Sequence, residues 1–163
     1  SRRTSPGTGT QRPYVATTEQ VWALHDHCPP NIRPAILLAA HAGLRLAEAA
    51  ALRPEDVDFM RCVISPVIQW PDQPLKSDIS RTPIPIASEL ALVLARAVAV
   101  GKGETIVTNP DGGRLSGPWA IQRAFRAACE QVEGLPDGFR FHDLRHSCAT
   151  MRSVAEKVSR RRP

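Results

Sequence analysis

The chain has 163 residues and a mass of 17.8 kDa, with 42% hydrophobic residues, which suffices for one domain with a real core and is too short for two large domains. No apolar run approaches the roughly 20 residues that span a bilayer, and no apolar segment typical of a signal peptide follows the polar N-terminus. The four cysteines are neither paired nor regularly spaced, so we expect reduced thiols in the cytoplasm rather than a disulfide framework or a zinc ribbon.

The net positive charge is concentrated at the C-terminal end. Residues 145–163 hold six Lys/Arg and one Glu, and their net charge of +5 equals that of the whole chain. Residues 1–144 therefore carry equal numbers of basic and acidic side chains. A nucleic-acid partner must be argued from the positions of individual arginines, because the bulk charge of the body does not support one.

Hydrophobic periodicity and capping signals predict five helices and a few short strands. Thr17 and Gln20 form a capping-box pattern, Asn31 and Ser88 are placed as N-caps, and Gly43 is placed to end a helix in a left-handed turn. The helices are predicted between Thr17 and Pro29, between Asn31 and Gly43, over 46–52, over 89–100 and from Gly117 to about Val132. The strands are predicted over 56–59, 62–70 and 81–86, with a short extended piece at 105–107.

Three finer expectations concern the middle of the chain. Residues 71–74 are expected to form a loop, and the last strand is expected at a sheet edge because its prolines cannot donate to a ladder on both sides. Lys76 lies near the loop of this small sheet, where a lysine is most often simply solvated. In the last helix, the apolar side chains expected in the core are Trp119, Ile121, Phe125 and Cys129.

Two short polar motifs stand 100 positions apart, arginine to arginine. The first is Gly-Leu-Arg-Leu-Ala-Glu at 43–48, and the second is His-Asp-Leu-Arg-His at 142–146. If residues 142–151 are helical, the two histidines and the arginine of the second motif share one face, and its leucine points toward the core. A guanidinium matches two phosphate oxygens at once, and an imidazole can move a proton near neutral pH. That face therefore has the outline of a polyanion site.

Other interpretations fit the same residues. A His-x-x-Arg-His pattern on a helix is often an ordinary solvated face. Arg45 and Glu48, at i and i+3, could form a surface ion pair worth only about 0.2–0.5 kcal/mol. His142 and His146 have the spacing of a zinc-binding helix, although an aspartate replaces the expected glutamate, Arg145 lies between the imidazoles and no third ligand is evident.

Both motifs resemble the signature boxes of the tyrosine recombinases, the phage integrase family. The resemblance covers about residues 14–151 and is closest to integrases of actinobacterial phage type. It implies an α+β fold, mainly α-helical with a small antiparallel β-sheet, incomplete at the C-terminus. Residues 1–13 would be a linker or disordered arm, residues 14–153 a catalytic-domain fragment and residues 154–163 a basic tail.

The resemblance also implies a chemistry, which is DNA strand exchange at an attachment site in double-stranded DNA, without metal or cofactor and with a homo-oligomer on the DNA as one expected assembly. Two arginines would grip the scissile phosphate, a hairpin lysine would protonate the leaving oxygen, and the first histidine would accept the nucleophile's proton. The residues at the matching positions are Arg45, Lys76, His142 and Arg145 as catalytic residues, with Glu48 and His146 in support.

The nucleophilic tyrosine of that family has no counterpart in these residues. The resemblance stops after Thr150, and the single tyrosine, Tyr14, opens the domain. We therefore expect a truncated or frameshifted chain that cannot recombine DNA alone. The alternative is a non-catalytic remnant that binds DNA or a partner integrase. The basic tail is either an accident of the truncation or a segment that contacts DNA.

Overall fold

A computed structural model describes residues 13–75 and 82–148. The expected arm, the Lys76 loop and the basic tail lie outside the described residues. The elements are helices α1 (Thr18–His27), α2 (Arg33–Ala42), α3 (Leu46–Ala51), α4 (Ser88–Val100) and α5 (Trp119–Cys129), strands β1 (Val57–Asp58), β2 (Val63–Ile64), β3 (Ile68–Gln69), β4 (Gln73–Pro74) and β5 (Ile84–Pro85), and 3-10 turns at Pro54–Asp56 and Phe141–Leu144. The expected fold class, mainly α-helical with small antiparallel sheets, is confirmed. No helix in the described ranges is long and apolar enough to cross a membrane.

Helix α2 is the centre of the core. Eight of its ten residues are buried, and a helix that is apolar on all sides belongs in the interior of a fold. Helices α1, α3 and α4 and the 3-10 turn at Phe141–Leu144 all contact it, while α5 packs on α1. The C-terminal end of α2 consequently emerges from the core beside the 3-10 turn.

The strands form two small sheets rather than one. In the first, β2 lies between β1 and β5, and in the second β3 pairs with β4, all antiparallel. The single strand expected over 62–70 is wrong, because β2 and β3 belong to different sheets and the break contains Pro66, which has no N–H to donate. The loop expected over 71–74 is wrong for its last two residues, which form β4. Strand β5, with Pro85, lies at a sheet edge as expected.

The helix ends follow the capping signals at the start of α1 but not at the starts of α2 and α4. Thr17 and Gln20 form the expected reciprocal box at α1, with bonds of 3.0 and 3.1 Å. Asn31 does not cap α2, because its side-chain Nδ2 donates to the carbonyl of Thr108 at 2.7 Å and so ties the start of α2 to a distant loop. Ser88 is the first residue of α4 rather than its cap. The extended piece expected at 105–107 is not a strand.

The aromatic side chains of α5 divide between core and surface. Phe125 is 2% exposed, and its ring centroid lies 6.0 Å from that of Phe139 and 5.7 Å from that of Phe141. Trp119 was expected in the core but is 47% exposed, because it lies about 200° around the helix from the next buried residue. Its ring meets that of Trp70 edge-on at 5.4 Å. Through Phe125, helix α5 fixes the segment that leads into the second motif.

We predict that Phe125→Ala lowers the free energy of unfolding by about 3–5 kcal/mol, because it removes a buried ring and leaves a cavity between two others. Urea unfolding followed by circular dichroism measures the change. The control is Leu92→Ala on α4, whose side chain is 55% exposed and whose loss should change stability by no more than about 0.5 kcal/mol. Equal losses of unfolding free energy in the two variants would contradict a central role of Phe125, Phe139 and Phe141 in the core.

Candidate active site

The loop between α2 and α3 is held by hydrogen bonds at both ends. Gly43 ends α2 with φ at +72°, and its N–H donates to the carbonyl of Ala39 at 3.1 Å, the left-handed helix end that glycine allows. Arg45 is the N-cap of α3, and its backbone N–H donates to the Glu48 carboxylate at 2.8 Å. The loop therefore presents the exposed side chain of Arg45 from a fixed backbone.

Glu48 acts on backbone rather than on the guanidinium of Arg45. Its side chain belongs to a residue that is 6% exposed, and the described part of the chain contains no ion pair between it and Arg45. The surface ion pair considered from the sequence is therefore wrong. The buried carboxylate fixes the start of α3 and places a negative charge beneath the cationic side chains around it.

The second motif is a 3-10 turn followed by helix. The turn spans Phe141–Leu144, and residues 145–148 are α-helical, so the helix expected from 142 begins three residues later. The leucine is fully buried, as expected. The rings of His142 and His146 meet edge-on with centroids 6.2 Å apart, which places both imidazoles beside Arg145.

Arg145 joins the second motif to the first. Its Nε–H donates to the carbonyl oxygen of Gly43 at 2.8 Å. One helical turn later, the thiol of Cys148 donates to the carbonyl of His41 at 3.4 Å. Two hydrogen bonds thus attach the second motif to the end of α2, and the arginines of the two motifs become neighbours.

The electrostatics of the site reflect that proximity. Burial lowers the pKa of Arg145 most, the positive charge of Arg45 lowers it further, and the negative charge of Glu48 raises it. Within the described ranges, neither Nη atom of Arg145 and no side-chain nitrogen of Arg45 has a hydrogen-bond partner. Two neighbouring cations repel each other, and an anion placed between them would offset that repulsion.

His142 is placed to be a proton acceptor. Burial lowers the pKa of its imidazole most, and the positive charges of Arg145 and, when protonated, His146 lower it further, while Asp143 raises it. The imidazole is therefore neutral at pH 7 and has a free nitrogen lone pair to offer.

Lys76 itself lies outside the described residues, but the hairpin that precedes it is well anchored. The backbone N–H of Trp70 donates to the carbonyl of Ala47 in α3 at 2.9 Å. Asp72, at the hairpin turn, accepts two hydrogen bonds from the guanidinium of Arg114, one of them 2.8 Å long. This pair was not predicted from the sequence. Aspartates are common in tight turns, so Asp72 alone does not indicate a partner 42 residues away.

The zinc interpretation gains no further ligand from the structure. No group of three or more His, Cys, Asp and Glu side chains that could hold a metal ion occurs among residues 13–75 and 82–148.

We predict that Arg145→Ala raises the pKa of His142 toward the ordinary value of a histidine, because a neighbouring positive charge that opposes protonation is removed. An NMR titration of the imidazole in the free protein measures it. Arg61→Ala, which removes a side chain that is 85% exposed at the β1–β2 turn, is the control. A His142 pKa that is unchanged or lower in Arg145→Ala would contradict the arrangement.

Comparisons with known proteins bear on the fold. Among solved structures, the Tn1549 transposon integrase in complex with transposon right end DNA matches with a TM-score of 0.72 at 18% identity, over 90% of this chain and 55% of that chain. XerA recombinase matches with a TM-score of 0.66 at 18% identity, over 90% and 52%, and the lambda integrase catalytic core with 0.61 at 17%, over 85% and 82%.

The chain thus spans about half the length of the first two of these proteins, and at such identities the likeness shows the fold. No curated protein sequence matches the chain. The family model described as Phage integrase family matches residues 15–154, which is most of the sequence. The chain therefore belongs to the phage integrase family and carries the catalytic-domain fold of the tyrosine recombinases.

Proposed function

We propose that this chain binds double-stranded DNA as part of a site-specific recombination system, with Arg45 and Arg145 gripping one phosphodiester. The observation that carries the proposal is the 2.8 Å bond from Arg145 to Gly43, because it brings the guanidinium of Arg145 to the loop that carries Arg45. In this proposal residues 14–153 form the catalytic-domain fragment, and residues 1–13 and 154–163 serve as linker and basic tail. The Tn1549 and lambda integrases in complex with DNA support DNA as the partner.

The proposed chemistry is transesterification at phosphorus. A tyrosine hydroxyl attacks the scissile phosphate, forms a 3′-phosphotyrosyl bond and releases a 5′-hydroxyl. Negative charge grows on the nonbridging oxygens in the transition state, and the two arginines neutralise it from two sides. His142 accepts the proton of the attacking hydroxyl, and Lys76 supplies a proton to the leaving oxygen. Glu48 and His146 hold the backbone of Arg45 and the ring of His142 in place.

The attacking tyrosine comes, in this proposal, from outside these 163 residues. The single tyrosine is Tyr14, whose hydroxyl donates to the side chain of Gln20 at 2.8 Å and whose ring packs edge-on against Phe139 at 5.9 Å. It is thus engaged at the start of α1. These residues alone therefore bind DNA without joining to it, and a homo-oligomer on DNA is the assembly in which recombination would occur.

We predict that Arg45→Ala and Arg145→Ala each weaken binding to duplex DNA and lower the slope of log affinity against log salt by about 0.9, as loss of one phosphate contact should. Fluorescence anisotropy over a series of salt concentrations gives both quantities. Arg61→Ala is the matched control for charge, since its side chain is 85% exposed and is not part of the proposed site. Unchanged affinity and slope in both site variants would remove the proposed phosphate site.

A second experiment tests the chemistry. A fusion of the chain to the tyrosine-bearing C-terminal segment of a relative should form a covalent adduct with a pool of nicked duplexes, visible as a shifted band under denaturing conditions. Lys76→Ala should slow its formation by about 100-fold or more, as loss of a general acid does, and replacement of the tyrosine by phenylalanine should abolish it. A folded fusion that binds DNA and forms no adduct would favour the alternative of a non-catalytic DNA-binding or partner-binding remnant.

A further inference from the structure

The carbonyl oxygen of Gly43 is the one backbone group that touches a guanidinium of the site in the described structure. We propose that this carbonyl is a positioning group: by accepting the Nε–H of Arg145, it aims the two Nη atoms of Arg145 at the same phosphate that Arg45 contacts. The inference rests on the proposed function for the identity of the anion, and on the 2.8 Å bond for the geometry.

A guanidinium is planar and carries five N–H donors in a fixed fork. When Nε–H is bonded to a carbonyl, rotation of the group about its last single bond is restricted, and the separate edge formed by Nη1 and Nη2 is not used by that bond. These donors have no partner within residues 13–75 and 82–148. The result is a fork already held in one orientation, which lowers the entropy lost when a phosphate binds.

Glycine at position 43 is favoured by the conformation of its backbone. Its φ of +72° lies in the left-handed region, which side chains with a Cβ adopt only with strain. A Cβ built there would lie 3.4 Å from Sγ of Cys148 and 3.7 Å from its Cβ, which is ordinary van der Waals contact, and Cys148 belongs to the helical segment that begins at Arg145. The strain caused by a side chain at 43 would therefore arise in the backbone that carries the acceptor carbonyl.

The same short stretch controls both arginines. Gly43 supplies the acceptor for Arg145, and two residues later the chain supplies Arg45 itself, whose N–H is fixed by Glu48 at 2.8 Å. The acceptor for Arg145 and the backbone of Arg45 therefore lie within three consecutive residues, so a change in this stretch acts on both guanidinium groups. Such an anchor is needed, because two neighbouring cations repel each other when no anion lies between them.

The contact is tested first in the free protein, where no DNA is needed. We expect the Nε–H proton of Arg145 to exchange with water more slowly than that of Arg61, as measured by NMR on the arginine ¹⁵Nε signals. An Nε–H of Arg145 that exchanges as fast as that of Arg61 would overturn the positioning role alone and leave the proposed function standing.

The role is tested next by a double-mutant cycle on affinity for a short duplex of mixed sequence. Gly43→Ala should weaken binding about tenfold, which is the loss expected for one good interaction, and should cause no further loss in an Arg145→Ala background, because it acts through that side chain. Gly103→Ala is the matched control: φ at Gly103 is +90°, and a Cβ there would meet nothing within 4 Å. Equal losses in both backgrounds, or equal losses from the two glycine variants, would overturn the proposal.

A third variant covers the case in which Gly43→Ala does not fold. Arg145→Lys keeps the charge but replaces the planar fork by three donors on one nitrogen, which cannot hold the carbonyl on one edge and two phosphate oxygens on another. It should lose about tenfold in affinity or more, and parental affinity would overturn the proposal. Unchanged binding in Arg145→Ala would instead overturn the proposed function, and the positioning role with it, even if the Nε–H of Arg145 were protected.

Discussion

The hydrogen bond from Arg145 to the carbonyl of Gly43 is the contact on which the site depends. It joins two segments separated by 102 residues, and each segment is prepared by local structure for the meeting. In the first segment, Gly43 ends α2 with a left-handed backbone. In the second, a 3-10 turn with the buried Leu144 comes directly before Arg145. Helix α2 supports both segments, because it contacts the turn and ends at Gly43.

The positive charge of the candidate site is a local feature of an otherwise balanced body. Residues 1–144 are electrically neutral in sum, so their net charge does not attract a polyanion. Arg45 and Arg145 nevertheless lie close enough for their charges to interact, near the buried carboxylate of Glu48. The glutamate offsets part of the effect of Arg45 on Arg145, and burial, together with the positive charge of Arg145, lowers the pKa of the His142 imidazole.

Local signals in the sequence were enough to predict the helices, the capping box at Thr17 and the left-handed turn at Gly43, because each depends on a few adjacent residues. The features that were predicted wrongly depend on contacts between distant parts of the chain. The side chain of Asn31 donates to the Thr108 carbonyl and does not cap α2. One expected strand is two strands in different sheets, with Pro66 between them. The motifs indicated which side chains could hold a phosphate, but the bond that aligns Arg145 is made by a backbone oxygen, and no residue identity encodes such an acceptor.

Helix α2 has almost no surface of its own, since eight of its ten residues are buried. The outer helices can exchange their solvent-facing residues freely, whereas changes in α2 succeed only in compensating sets that preserve volume. Because the Gly43 carbonyl is the last feature of that helix, each such set also resets, by fractions of an ångström, where the guanidinium forks point. Substitutions deep in the interior are therefore a route by which the positions of these two guanidinium groups can change while both arginines are kept.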